Sequence, residues 1–112
     1  MKLKAMNEPF IDVNGTSLQG YITTTRRELA RVFGEPYQFQ GDKVNLEWEL
    51  YFEDETDNCV ATIYDWKNYD YILEQDEVYE WHIGGRDKDV VALVKQAFVN
   101  RGGQLSKEET YA

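Results

Sequence analysis

The chain of 112 residues has a formal charge of −9, from 21 acidic and 12 basic residues, and 42% of its residues are hydrophobic. This length predicts one domain, and the hydrophobic content suffices for a core and excludes wholesale disorder. The single cysteine excludes an internal disulfide, the acidic balance argues against a nucleic-acid-binding surface, and no apolar run approaches the roughly 18 residues of a membrane span.

The start of the chain predicts one loosely held segment and one hairpin. Residues 1–9 are polar and are expected to be loosely held. Residues 10–13 and 16–22 then flank Asn14-Gly15, a pair that supplies the positive φ angles of a tight hairpin turn. We therefore expect residues 10–22 to form two short antiparallel strands.

A helix and a long strand follow. Thr25 and Glu28 have the spacing of a capping box, and Gly34 ends the periodic stretch, which predicts a helix over residues 25–33. In residues 43–53 apolar and polar side chains alternate strictly, the pattern of a strand with one buried face.

The remaining segments predict two strands, a helix and a tail. Residues 59–66 are rich in β-branched and aromatic side chains and predict a strand antiparallel to the previous one, and residues 78–83 predict another. Apolar residues recur at helical spacing in 88–100, after Asp87 or Asp89 as the cap. Gly102 ends that helix.

The predicted order is β-β-α-β-β-β-α. Short polar loops between strands favour an antiparallel sheet with helices on one face, so the fold class is α+β. We expect one domain over residues 1–101, with about five strands and two helices, and a flexible polar tail over 102–112. The three tryptophans, Trp48, Trp66 and Trp81, are predicted to lie in the core.

Several short motifs, taken together, resemble a known group of proteins. They are LQGYI at 18–22, FGEP at 33–36, KV at 43–44 followed by EW at 47–48, IYDWK at 63–67, and EWHIGG at 80–85. This combination, which spans roughly residues 14–98, is similar to a family of small, mostly uncharacterised proteins of tailed bacteriophages. The resemblance implies a protein made in the cytoplasm of a bacterial host, with no assigned catalytic residues, that inhibits or redirects a host or defence protein.

The acidic residues are concentrated in the middle of the chain. Residues 43–80 contain twelve acids and two bases, a charge of −10, together with five of the eight tyrosines. Tyrosines are common at interface hot spots, and acids around them select a basic partner. The leading hypothesis is a non-enzymatic binding protein that occludes a basic surface of a partner and, where that surface normally holds nucleic acid, acts as a partial charge mimic of it. Its contact residues would be Glu53, Asp54, Glu55, Asp57, Tyr69, Asp70, Tyr71, Glu74, Asp76 and Glu77. A solvated acidic loop with packed tyrosines is the plainer interpretation.

A second hypothesis concerns the glycines before the last helix. Gly84 and Gly85 would expose backbone N–H groups at its positive end, and His82 and Arg86 would add hydrogen bonds to a phosphate. This arrangement suits a sponge for a nucleotide-type defence signal. The plainer interpretation is that the glycines permit a sharp turn and that Asp87 caps the helix.

A third hypothesis is a small metal-dependent nuclease. Glu47 and Glu49 share one strand face, and Asp65 and Lys67 end the neighbouring strand, so these residues would hold Mg²⁺ and activate a water. The missing positive cleft and the ordinary solvated face of a strand argue against it. One histidine and one cysteine make nucleophilic catalysis and a zinc site unfavourable, so we expect no catalytic residue, no metal and no cofactor.

The sequence leaves the oligomeric state open. Arg26, Arg27 and Arg31 lie on the predicted first helix and would meet the acidic segment of a neighbouring copy, or face water. We expect no membrane partner and no direct contact with nucleic acid.

Overall fold

One antiparallel sheet and two helices form the fold, in agreement with the predicted α+β class. The structure is a computed structural model that describes residues 1–40 and 43–106. The elements are β1 (Lys2–Met6), β2 (Ser17–Thr25), α1 (Arg26–Phe33), β3 (Tyr37–Gln38), β4 (Leu46–Glu53), β5 (Asn58–Tyr64), β6 (Val78–Gly85) and α2 (Asp89–Asn100). Across the sheet the strands run β1-β4-β5-β6-β2, and β3 also pairs with β4.

The alternation in β4 creates the centre of the core. Leu46, Trp48, Leu50 and Phe52 are buried on the face that the helices cover, because the period of two directs every second side chain to one side. The ring centres of Trp48 and Trp81 lie 5.3 Å apart, edge to face. Both tryptophans are core residues, as predicted.

Helix α1 begins and ends where its capping residues predict. The Thr25 hydroxyl accepts a hydrogen bond from the backbone N–H of Glu28 at 3.1 Å. The helix ends before Gly34, whose φ of +85° is unfavourable for residues with a side chain. The backbone N–H of Gly34 donates to the carbonyl of Ala30, which closes the last turn.

Helix α2 packs unusually close to the sheet. The Asp87 side chain accepts a hydrogen bond from the backbone N–H of Asp89 at 2.8 Å. Asp87 therefore provides an acceptor for one of the free N–H groups in the first turn of this helix. A Cβ atom added at Gly85 would lie 2.5 Å from the Val90 side chain, and one at Gly20 would lie 2.7 Å from Val91. Glycine at both positions therefore lets α2 approach the strands.

The predicted hairpin over residues 10–22 is wrong. Residues 10–13 form no strand, and β2 pairs with β6, from Ser17 opposite Gly85 to Thr25 opposite Val78. Asn14-Gly15 does form a turn, with φ of +79° at Gly15. The segment before β2 is instead bound to Arg86, whose guanidinium donates hydrogen bonds to the carbonyls of Asp12 and Asn14.

Both ends of the described chain are held more firmly than predicted. Lys2–Met6 forms an edge strand against β4, with Lys2 opposite Glu53. After α2, the backbone N–H of Gln104 donates to Glu28 and that of Ser106 donates to the carbonyl of Thr23. The rest of the predicted tail, 107–112, lies outside the described residues.

The two helices are too short or too polar to cross a membrane, a statement that covers the described part of the chain only.

Candidate binding surfaces

One aromatic cluster lies on the sheet face opposite the helices, here called the open face. The strand register places Glu47, Tyr64, His82 and Tyr21 in one row across four strands. The His82 ring centre lies 5.1 Å from that of Tyr21, 5.3 Å from that of Tyr64 and 5.8 Å from that of Trp66. Burial lowers the pKa of His82, so the ring is predominantly neutral at pH 7.

Trp66 belongs to this cluster and not to the core, which corrects its predicted position. Strand β5 ends at Tyr64, two residues earlier, and the Trp66 side chain is 37% exposed. The Tyr79 hydroxyl bonds to both the backbone N–H and the carbonyl of Trp66. The ammonium groups of Lys43 and Lys67 lie 5.8 and 5.9 Å from the Trp66 ring centre, within cation–π distance.

A cleft of about 210 Å³ opens next to this cluster. Gly84 has no side chain in the row it shares with Thr62, and an added Cβ would collide with the Thr62 hydroxyl. The side chains of Thr62 and Tyr64 therefore occupy the space in front of Gly84, and all three residues line the cleft. Its walls include Thr16, Ser17, Glu47, Thr62, Tyr64 and Trp66.

Glu47 is the acidic side chain of this cleft. Burial and the neighbouring carboxylate of Glu49 raise the pKa of Glu47 to about 8. Among residues 1–40 and 43–106 the ion pairs are Arg27 with Asp76 and Arg31 with Glu28, so Glu47 has no ion-pair partner there. A cation from outside the chain is the group that would favour its ionised form.

Glu47→Gln is expected to flatten the dependence of stability on pH. The folded pKa of about 8 exceeds the ordinary 4.5, so the folded chain keeps a proton that the unfolded chain releases. Stability therefore falls as pH rises through this interval, on the order of 1–2 kcal/mol after allowance for solvent screening. Urea unfolding of both proteins at about pH 5 and about pH 8.5 measures this fall.

His82 titrates in part of the same interval with the opposite sign. Because its pKa is lowered, it contributes stability that is gained as pH rises toward the ordinary value of 6.5. His82 is present in both proteins, so the difference between them isolates Glu47. The same pH dependence in wild type and Glu47→Gln would contradict the assignment.

The segment 67–77, here called the tyrosine loop, carries a second candidate surface. Lys67 and Tyr69 have φ angles of +57° and +50°, which side-chain-bearing residues rarely adopt. Strain of this kind persists where surrounding contacts over-determine the backbone, and functional sites are frequent examples. The loop is neither a helix nor a strand, and two of its residues have left-handed backbone conformations.

Two buried residues hold the tyrosine loop against the body of the domain. Leu73 is 2% exposed and packs into the core, and its carbonyl accepts a hydrogen bond from the Arg26 guanidinium at 3.1 Å. At the base of the loop, one oxygen of the fully buried Asp65 accepts from the backbone N–H groups of Asn45 and Leu46. Its other oxygen accepts from the side chain of Asn68 at 3.2 Å.

The same loop exposes an apolar patch. Tyr69, Tyr71, Ile72 and the nearby Phe39 are each between 45% and 54% exposed, and we call these four residues the apolar patch. Phe39, Tyr69 and Ile72 line one shallow depression together with Asp70. Large exposed side chains grouped in this way are typical of interaction sites.

Acidic residues surround the apolar patch. Asp70 and Glu74 are exposed, and neither joins an ion pair among the described residues. Asp76 is bound to Arg27 at 2.8 Å, and Glu77 accepts a hydrogen bond from the Tyr71 hydroxyl at 2.5 Å. Six of the ten predicted contact residues therefore lie in one loop, and two of its acids, Asp70 and Glu77, directly adjoin the apolar patch.

The other four predicted contact residues lie elsewhere. Glu53, Asp54, Glu55 and Asp57 are at the tip between β4 and β5, beside Lys2 and Lys4. Asp54 accepts from the backbone N–H groups of Thr56 and Asp57, which lowers its pKa and shapes the turn. The length of β4, eight residues or about 25 Å, separates this tip from the tyrosine loop, so the ten residues form two surfaces.

The predicted phosphate site before α2 is not assembled. Gly84 and Gly85 continue β6 and do not form the loop before the helix, since close packing in the sheet requires them. Arg86 is bound to carbonyl groups of the chain itself, and Asp87 already accepts from the start of α2. His82 belongs to the aromatic cluster on the open face.

The predicted metal-binding group is not assembled either. Asp65 is buried and binds backbone N–H groups, so it does not face Glu47 and Glu49 as a ligand. The described ranges, 1–40 and 43–106, hold no group of three or more His, Cys, Asp or Glu side chains placed to bind a metal ion. Burial raises the pKa of the Cys59 thiol, so little reactive thiolate forms at neutral pH.

The three arginines of α1 bind within the chain. Arg27 binds Asp76, Arg31 binds Glu28 and the carbonyl of Gly102, and Arg26 binds the carbonyl of Leu73. Their predicted contact with the acidic segment of a second copy would compete with these contacts.

Comparison of the chain with protein-family models, with curated proteins and with solved structures found no match. The fold and its surfaces define the class, an α+β domain with an aromatic open face and an acid-rimmed apolar loop. These two surfaces are the candidate functional sites of the domain.

Proposed function

We propose that the protein is a non-enzymatic binding protein that docks its tyrosine loop onto a basic surface of another protein. The observation that carries this proposal is the apolar patch, formed by Tyr69, Tyr71 and Ile72 of the tyrosine loop and the nearby Phe39, with acids beside it. Aromatic side chains supply contact energy at interface centres, and a charged rim selects the partner.

The loop is the better candidate than the β4–β5 tip for two reasons. It combines large exposed apolar side chains with acids, and Leu73 and Asp65 preorganise it, which lowers the entropic cost of binding. At the tip, Lys2 and Lys4 on the neighbouring strand reduce the local negative charge.

The resemblance to phage proteins suggests the nature of the partner. We propose a host or defence protein in the bacterial cytoplasm, inhibited or redirected by occlusion of its basic surface. If that surface normally holds nucleic acid, the acidic loop competes for it as a charge mimic.

A matched pair of charge reversals tests the proposal. The full chain is used to capture proteins from bacterial lysate at low and high salt, and the captured partner is identified by mass spectrometry and then titrated in purified form. Glu74→Lys, in the loop, is expected to weaken binding by about tenfold or more. Glu55→Lys makes the same change in net charge at the exposed tip and is expected to change affinity by less than about twofold.

Two results would overturn the proposal. One is capture of no specific partner at either salt concentration. The other is equal weakening by Glu74→Lys and Glu55→Lys, which would show a response to net charge and not to the tyrosine loop.

A further inference from the structure

We propose that the cleft on the open face binds one guanidinium group, the side chain of an arginine on the protein partner, between the Glu47 carboxylate and the rings of Tyr64 and Trp66. The inference rests on the proposed function, since it names how a basic partner is recognised. It concerns a site separate from the apolar patch.

The size of the cleft favours a side chain over a metabolite. Its volume of about 210 Å³ is smaller than the roughly 300–1,000 Å³ usual for small-molecule pockets. The cleft is lined by Gly84 together with Thr62 and Tyr64, whose side chains pack close over the glycine. One planar group entering from above fits such a depression.

The chemistry of the walls favours a cation. Glu47 supplies a carboxyl group without an ion-pair partner among the described residues, and Glu49 beside it adds negative potential. Tyr64 and Trp66 supply ring surfaces, with ring centres 6.2 Å apart. Guanidinium is planar and weakly hydrated, binds a carboxylate with two hydrogen bonds and stacks on aromatic rings, so it suits these walls better than ammonium.

Lys43 and Lys67 compete for part of this site. Their ammonium groups already lie within cation–π distance of the Trp66 ring. An arriving guanidinium would be repelled by both, so Lys43→Gln is expected to tighten its binding by about twofold.

The test titrates the full chain with blocked arginine, N-acetyl-arginine amide, and follows the backbone and indole N–H signals by NMR. Saturable shifts are expected at Thr62, Trp66 and Gly84, with a dissociation constant in the millimolar range. Glu47→Gln is expected to weaken binding by about fivefold or more. Glu53→Gln, at the far end of the same strand face, is the matched control and is expected to leave binding unchanged.

Four results would overturn the guanidinium site. They are equal shifts from blocked citrulline, which is uncharged; equal affinity for blocked lysine; unchanged affinity in Glu47→Gln; and weaker binding in Lys43→Gln. Free arginine that binds about tenfold more tightly than the blocked form would identify a site for the amino acid itself and overturn the side-chain source.

This titration needs no partner protein, so its failure and that of the proposed function are distinguishable. If blocked arginine causes no shifts while Glu74→Lys still weakens partner binding more than Glu55→Lys, only the guanidinium site is contradicted. If blocked arginine binds but the two charge reversals weaken partner binding equally, the proposed docking through the tyrosine loop is contradicted and the guanidinium site stands.

Discussion

With alanine at position 65, the domain is expected to lose about 3–4 kcal/mol of its free energy of unfolding, because two buried backbone N–H groups lose their acceptor. Asp65 is fully buried, and one carboxylate oxygen accepts from Asn45 at 2.8 Å and from Leu46 at 3.0 Å. A domain with a total stability of about 5–15 kcal/mol would be left marginal.

Urea unfolding measures this loss, with two variants for comparison. Asp65→Asn keeps one oxygen as acceptor and is expected to lose about 1–2 kcal/mol. Asp57→Ala changes the same side chain at the exposed tip and is expected to lose less than about 0.5 kcal/mol. A loss below about 1 kcal/mol in Asp65→Ala would show that the buried carboxylate is not what holds the base of the tyrosine loop.

The elements that could be predicted from the sequence are those with a local cause. The alternation in β4 depends on side chains two positions apart, and the limits of α1 depend on Thr25, Glu28 and Gly34, all within ten positions. The α+β class follows from these elements in order. These patterns can be recognised in the sequence because the interactions that cause them act within one helical turn or between alternate residues of a strand.

The elements that could not be predicted depend on pairing between distant residues. β2 pairs with β6, about sixty positions away, and not with the segment before Asn14. β1 is polar because it is an edge strand, with lysines that face water, and a polar edge strand resembles a loop in the sequence. Trp66 is a large aromatic residue of the kind usually found in a core, but β5 ends two residues before it and its side chain is partly exposed.

The candidate sites also differ in whether their residues are close together in the sequence or are brought together by strand pairing. The tyrosine loop is contiguous in the chain, so its acids and tyrosines could be grouped by sequence alone. The cleft required the register that brings Gly84 beside Thr62 and Glu47 beside Tyr64. The separation of the β4–β5 tip from the loop also required the sheet, because both belong to one acidic segment of the sequence.

Ile72 and Leu73, adjacent in the tyrosine loop, are expected to respond oppositely to truncation. Leu73 is 2% exposed and Ile72 is 47% exposed. Leu73→Ala removes core contacts and leaves a cavity, so it is expected to cost about 3 kcal/mol of stability. Ile72→Ala removes few core contacts and is expected to cost less than about 0.5 kcal/mol.

Binding to the captured partner is expected to show the reverse order. Ile72 is part of the apolar patch and would be buried at the interface, so Ile72→Ala is expected to weaken binding by about tenfold. Leu73→Ala, measured well below its melting temperature, acts only through loosening of the loop and is expected to weaken binding less. Unchanged affinity for the partner in Ile72→Ala, with its stability intact, would show that the apolar patch is not part of the interface. Ile72 and Leu73, which are similar in size, would then differ only in how much each stabilises the fold.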